Sequence, residues 1–92
     1  MLKLAYTAKF KKDYKKAKRQ GRNLAKLTKA LDLLCREQEL PPSFRDHALI
    51  GNYQGHRECH LEPDWLLIYR TDADKLILTA TRTGSHSDLF DR

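Results

Sequence analysis

Four histidines are the residues best suited to proton transfer near neutral pH, and all lie in the second half of the chain. His60 is followed within four residues by Asp64, in the segment HLEPD. His47 lies in the loop expected before the sheet, and His86 follows the last expected strand. A single histidine is most often an ordinary surface or core residue, but converging strand ends would bring this set to one rim.

Histidines and a carboxylate at one site could cleave RNA without a metal. A carboxylate or histidine can deprotonate a ribose 2′-hydroxyl, and a protonated histidine can donate to the leaving 5′-oxygen. An arginine can stabilise the charge that develops on the phosphate. Bases could stack on aromatic rings, although a ring that caps the core is the commoner role for Trp65. The candidate rings are Tyr53, Trp65, Tyr69 and Phe90.

The competing chemistry is a zinc site, because several side chains in the same segments are possible zinc ligands. Cys59 and His60 are adjacent, however, so on a strand they point to opposite faces. The sequence also contains no CxxC pair. The sequence therefore favours a site without metal or other cofactor. The possible ligands are His47, Cys59, His60, Asp64 and His86.

The first half of the sequence predicts a strand and two helices. Residues 2–6 alternate in polarity, and Thr7 can cap the helix that follows. Gly21 can end this helix, and Pro41 and Pro42 end the next one. The short connection predicts a helical hairpin. Apolar residues with helical spacing are Phe10, Tyr14 and Ala17 in the first helix and Leu24, Leu27, Leu31 and Leu34 in the second.

The second half predicts three strands joined by short turns. In residues 57–61, Cys59 and Leu61 share one face, and His60 lies on the other. WLLIYR at 65–70 is apolar on both faces, and KLILTATRT at 75–83 forms the final strand. We therefore expect one α+β domain over residues 1–92, with the helices covering one face of an antiparallel sheet. The other face remains available for function.

Positive charge is concentrated at the amino-terminal end. Residues 1–30 hold eleven Lys or Arg and one acid, for a net charge of +10, whereas residues 31–92 have a net charge of −4. A solvated helix face is the ordinary explanation, but this excess favours a nucleic-acid or acidic protein partner. No apolar run predicts a membrane span or signal peptide, so we expect a cytoplasmic protein in which Cys35 and Cys59 are reduced.

Two segments resemble the YafQ toxins of bacterial type II toxin–antitoxin systems, within the RelE/ParE superfamily. They are DHALIGNYQGHRECHLEPDWLLIYR and RTGSHSDLF. The resemblance implies a RelE-like fold, with an N-terminal strand and a two-helix hairpin on a curved antiparallel sheet and an optional short C-terminal helix. It implies a metal-independent endoribonuclease that cuts translated mRNA in the ribosome. It also implies a cognate antitoxin.

The resemblance implies a set of site residues as well. The catalytic positions are His47, His60, Asp64 and His86. Trp65 and Phe90 match positions that shape the site or contact substrate, and Arg82 lies where an arginine could contact the scissile phosphate. His56 falls where the family has an aromatic residue and is left out of the set.

The individual roles are hypotheses. We expect His86 to be the general acid, either Asp64 or His60 to be the general base, and His47 to bind phosphate or position the nucleotide. The basic amino-terminal helices could contact ribosomal RNA or an acidic segment of the antitoxin. The alternative is a non-catalytic RelE-fold protein that binds RNA or an antitoxin partner. A toxin directed at another target, such as DNA gyrase, would leave the histidines without a role.

Overall fold

A computed structural model describes residues 1–90, and its two long helices begin at capping side chains. Thr7 accepts a hydrogen bond from the Phe10 N–H at 2.9 Å, and Asn23 accepts one from the Ala25 N–H at 3.2 Å. Gly21, at φ 73°, adopts the left-handed conformation that separates the helices. No helix within these residues is long and apolar enough to cross a membrane. The elements are β1 (Lys3–Tyr6), α1 (Ala8–Arg19), α2 (Leu24–Cys35), β2 (His47–Ala48), β3 (Arg57–Glu62), β4 (Trp65–Asp72), β5 (Ile77–Gly84) and α3 (His86–Phe90).

The strands form one sheet in the order β1-β5-β4-β3-β2. Strands β2 to β5 are antiparallel neighbours, as expected, but β1 pairs in parallel with β5, from Lys3 opposite Ile77 to Tyr6 opposite Ala80. The sheet is therefore mixed. The polarity pattern of β1 carries no information on its direction, which is set by a partner strand more than 70 residues away. The predicted α+β class, with a helical hairpin and a short C-terminal helix, is confirmed.

Two segments of the sheet differ from the sequence-based expectation. His47 was expected in a loop, but it pairs with Glu58 in the short strand β2. The last strand begins at Ile77 rather than at Lys75, because the Lys75 N–H donates to the Asp72 side chain within the β4–β5 turn. The first difference depends on pairing with another segment and the second on a side-chain contact within a turn, and a polarity pattern reports neither.

Alternation along the strands produces two unequal apolar clusters on opposite faces of the sheet. The larger cluster packs under the helices, where Cys59, Trp65 and Leu78 have no exposed surface. The smaller cluster lies on the opposite face, hereafter the open face, where Leu66, Ile68 and Leu89 are buried together. Leu89 comes from α3, so this helix covers part of the open face. The remaining open face is free to hold polar side chains.

The two cysteines belong to the helix-side core and form no disulfide. Burial raises the pKa of the Cys59 thiol to about 12. Burial, with a smaller contribution from Asp32, also raises the pKa of Cys35. Both residues are therefore poor nucleophiles and act as small apolar side chains.

Leu78→Ala is expected to lower the free energy of unfolding by about 2–5 kcal/mol, because it creates a cavity in the helix-side core. Leu76→Ala is the matched control, since Leu76 is 55% exposed and its replacement should change stability by no more than about 0.5 kcal/mol. Chemical denaturation of both variants measures the difference. Equal losses in the two variants would contradict the assignment of Leu78 to the core.

Candidate active site

Three elements bring the catalytic candidates to one end of the open face. In β3, alternation turns Glu58 and His60 toward this face while Cys59 enters the helix-side core. His60 pairs with Leu66 of β4, and Leu66 pairs with Gly84 at the end of β5. The turn between β3 and β4 carries Asp64, and α3 begins two residues after Gly84. The strand ends therefore converge as the sequence analysis expected.

Asp64 and His86 form the closest polar contact of this group. One carboxylate oxygen of Asp64 accepts the His86 backbone N–H at 2.9 Å and lies 2.7 Å from the Nδ1 of the same residue. The backbone N–H, followed by the ring, lowers the pKa of Asp64 below its ordinary value. With Nδ1 held by the carboxylate, Nε2 is the nitrogen of His86 that remains available to substrate.

Gly84 allows α3 to lie close to the end of β5. A Cβ on Gly84 would lie 3.1 Å from the Cβ of Asp88, closer than side chains normally approach. Asp88 accepts a 2.9 Å hydrogen bond from the Lys16 Nζ, which ties α3 to α1. Lys16, followed by the hydrogen bonds from Ser85, lowers the pKa of Asp88. These contacts fix the position of His86 at the start of α3.

His60 is the central member of a row of three histidines. Its ring centroid lies 5.9 Å from that of His86 and 6.3 Å from that of His47. The His60 Nδ1 is buried and has no hydrogen-bond partner within residues 1–90. A buried polar atom without a partner costs about 1–3 kcal/mol. An atom this buried is closed to substrate, so Nε2 is the nitrogen of His60 that can reach it.

Glu58 is a site residue that the sequence analysis missed. It is only 4% exposed, and one of its carboxylate oxygens lies 3.2 Å from the Nε2 of His47. The Nδ1 of His47 faces the Ala48 carbonyl oxygen at 3.2 Å, so both ring nitrogens are engaged. The alternation of β3 already placed Glu58 on the face of His60, but its contact with His47 requires the pairing with β2. The row of histidines therefore has a carboxylate at each end.

Arg82 lies beside the site, held by the only acid of the first thirty residues. Its guanidinium donates to both carboxylate oxygens of Asp13, at 2.7 and 3.1 Å, and the Thr83 N–H donates to the same carboxylate at 3.2 Å. Asp13, and to a smaller extent Tyr53, raise the pKa of Arg82 against the opposing effect of burial. The arginine is thus a fixed cation near the open face.

Among the aromatic candidates, Phe90 lies on the open face and Trp65 does not. The Phe90 ring contacts Tyr53 edge-on, with centroids 6.0 Å apart, beside the open-face cluster. Trp65 and Tyr69 instead belong to the helix-side core, and Trp65 has no exposed surface. Direct stacking of a base on either ring, which the sequence analysis considered, disagrees with this burial. Trp65 can therefore affect the site only indirectly, by packing β4 against the helix-side core.

The described part of the chain contains no group of three or more His, Cys, Asp or Glu residues arranged to hold a metal ion. The histidine rings are about 6 Å apart, and two of them are bonded to carboxylates. The chemistry considered below uses the side chains alone.

Comparison with known proteins gives the same family along nearly the whole chain. Residues 2–91 match the family described as bacterial toxin of type II toxin-antitoxin system, YafQ. The mRNA interferase toxin YafQ of Escherichia coli strain K12 is 40% identical over 88 residues, which cover 95% of this chain and 94% of that protein.

Solved structures agree with this match. YafQ in the Escherichia coli DinJ–YafQ complex has a TM-score of 0.89 at 35% identity, covering 98% of this chain and 99% of that one. A toxin from Helicobacter pylori, described as metal-bound, has a TM-score of 0.93 at 42% identity, covering 98% of this chain and all of that one. These likenesses place the chain among the toxins of bacterial type II toxin–antitoxin systems. Within that class, it belongs to the YafQ family.

His86→Ala is expected to raise the pKa of Asp64 part of the way to its ordinary value. The variant loses the ring contact but keeps the backbone N–H, which is the larger cause of the lowered pKa. A carboxyl with a lowered pKa stabilises the folded state above its ordinary pKa, and this contribution is lost as the pH falls through the lowered value. The variant should therefore lose stability at neutral pH relative to acid pH.

NMR titration of the carboxyl carbons measures this change residue by residue. Asp88 is the internal control, because Lys16 rather than His86 lowers its pKa. A shift of Asp88 would show that α3 itself has moved. An Asp64 pKa that does not change, with Asp88 also constant, would contradict the ring contact.

Proposed function

We propose that this chain is a metal-independent endoribonuclease that cleaves translated mRNA within the ribosome and so inhibits translation. Membership of the YafQ family supports this proposal, as does the mRNA interferase activity named for its Escherichia coli relative. The observation that carries it is the Asp64–His86 pair beside His60 on the open face. An acid, a base and an exposed approach for RNA are the requirements of this chemistry.

In the proposed reaction, His60 accepts the proton of the ribose 2′-hydroxyl. The 2′-oxygen attacks the adjacent phosphorus, and the bond from phosphorus to the 5′-oxygen breaks. His86 donates a proton to that leaving oxygen through Nε2, while Asp64 orients the ring and stabilises its protonated form. The products are a 2′,3′-cyclic phosphate and a 5′-hydroxyl. Asp64 is engaged with His86 in two contacts, which favours His60 over Asp64 as the base.

The remaining polar residues act on the charge of the phosphate. Both ring nitrogens of His47 are engaged, so His47 is better suited to positioning the nucleotide than to exchanging a proton. Glu58 holds that ring in place. Arg82 is a permanent cation whose orientation is set by Asp13, and it can stabilise the charge that builds up in the transition state. Phe90 offers a ring at the edge of the same site.

We also propose a cognate antitoxin as the partner that holds the protein inactive, by analogy with DinJ in the solved complex with YafQ. Translating ribosomes are the proposed site of action, which places the protein in the cytoplasm. The exposed lysines of α1 are proposed to contact ribosomal RNA, because positive charge supplies affinity for phosphate without regard to sequence.

His60→Ala and His86→Ala are each expected to reduce cleavage of a translated message at least about 100-fold, the usual contribution of a general acid or base. Asp64→Asn should reduce it less, by about 10-fold or more, because the asparagine can still hold the ring. Asp74→Asn is the matched control, since Asp74 is exposed in the β4–β5 turn and should be dispensable. Primer extension on a message translated in a purified system measures the cleavage.

If His60→Ala and His86→Ala cleave at the wild-type rate, the proposed mechanism is contradicted. A wild-type protein that binds ribosomes or antitoxin but never cleaves would instead support the non-catalytic alternative. Thermal melts of each variant separate lost chemistry from lost folding.

Replacing four exposed lysines of α1 with glutamine should weaken ribosome binding and make it less dependent on salt. The slope of log affinity against log salt concentration should become shallower by about 3. The four are Lys11, Lys12, Lys15 and Lys18. Lys16 is kept, because its contact with Asp88 supports α3. Sedimentation with ribosomes at several salt concentrations, beside antitoxin binding, measures the effect. If the variant binds ribosomes with the affinity and salt dependence of the wild type, these lysines do not contact ribosomal RNA.

A further inference from the structure

The open face continues beyond the histidine row into a second, distal groove of about 390 Å³. Because Leu66, Ile68 and Arg70 alternate along β4, Arg70 lies on the same face as the active site. Four residues at about 3.3 Å each separate Leu66 from Arg70, which is about 13 Å. Residues lining the distal groove include His56, Arg70, Asp72, Lys75, Thr79 and Thr81.

The cations of this groove are not neutralised by the protein. Neither the Arg70 guanidinium nor the Lys75 ammonium forms an ion pair with any residue in the range 1–90. Asp72 is the acid at the groove, and one of its oxygens accepts the Lys75 backbone N–H at 3.1 Å. The hydroxyls of Thr79 and Thr81 lie on the same surface. Guanidinium, ammonium and hydroxyl groups are the usual donors to phosphate oxygens.

A series of rings links the active site to the distal groove. The Phe90 ring, in the helix that begins with His86, contacts Tyr53 edge-on at 6.0 Å. Tyr53 in turn contacts His56 edge-on at 5.9 Å. His56 lines the groove, so rings and cations follow one path along the open face. Single-stranded RNA is bound elsewhere by this combination of stacking rings and basic groove.

We propose that the distal groove binds the phosphodiester backbone of the message a few nucleotides away from the scissile bond. The assignment rests on the proposed ribonuclease function, which supplies the RNA at the other end of the same face. A stacked strand rises about 3.4 Å per nucleotide, so 13 Å corresponds to about four nucleotides. An acidic peptide would be attracted by the same cations, but it would not need the connected path to the histidine row.

The experiment measures binding of 2′-O-methyl RNA, which cannot be cut because the attacking hydroxyl is blocked. A short RNA that spans only the active site is compared with two RNAs extended by four nucleotides at the 5′ or the 3′ end. Wild-type protein should bind one extended RNA at least about 5-fold more tightly than the short one. Arg70→Gln should abolish that gain and leave binding of the short RNA unchanged. For the extended RNA, the slope of log affinity against log salt concentration should become shallower by about 0.7.

Two further variants make the result specific. Arg36→Gln makes the same change on the helix side, where Arg36 pairs with Asp32, and should leave every affinity within about 2-fold of wild type. Arg70→Lys keeps the charge and should retain most of the gain from extension. Antitoxin binding is measured for the same proteins.

No gain from either extension, or a gain that survives in Arg70→Gln, would overturn the distal groove as an RNA subsite. Loss of antitoxin affinity in Arg70→Gln with RNA binding intact would overturn it in favour of a protein interface. The proposed function is judged separately, by whether wild-type protein cleaves a translated message. If the wild type cleaves a translated message but Arg70→Gln binds every RNA as the wild type does, only the subsite is contradicted. If the wild type does not cleave, the proposed function itself is contradicted.

Discussion

Side chains alternate across a strand, and in β3 and β4 this alternation separates the core of the protein from its chemistry. Cys59 and Leu67 enter the apolar cluster under the helices, whereas His60 and Arg70 turn to the open face. A shift of pairing by one residue would exchange these two sets, burying imidazole and guanidinium groups and exposing aliphatic ones. The helix-side core therefore stabilises the fold and also keeps the polar residues on the open face.

On that face, carboxylates orient the histidines in different ways. Asp64 leaves the Nε2 of His86 available, whereas Glu58 and the Ala48 carbonyl occupy both nitrogens of His47. Within residues 1–90, His60 lies between them with no carboxylate contact, and since its Nδ1 is buried, Nε2 is the nitrogen open to substrate. Three residues of one type thus acquire different capacities from their neighbours. This difference is why His86 and His60 are proposed for proton transfer and His47 for positioning.

Sequence patterns were sufficient for the two long helices, for the strands other than β2 and for the face on which His60 lies, because these depend on local periodicity. They were not sufficient for contacts between distant segments. The link between Asp64 and His86 spans 22 residues, and the Glu58–His47 contact depends on the register of β2. Trp65 shows the same limit. A strand that is apolar on both faces does not reveal which face carries its ring, and only pairing with β3 places Trp65 in the helix-side core.

The basic helix α1 has a structural part in the site that its charge alone did not suggest. Helix α3 is only five residues long, and a helix of that length is not stable by itself. It is held by burial of Leu89 and by the contact of Asp88 with Lys16 of α1. Asp13, one turn earlier in α1, holds Arg82. Because α1 anchors both the helix that carries His86 and the arginine beside it, a partner that moves α1 could change the site without covering it.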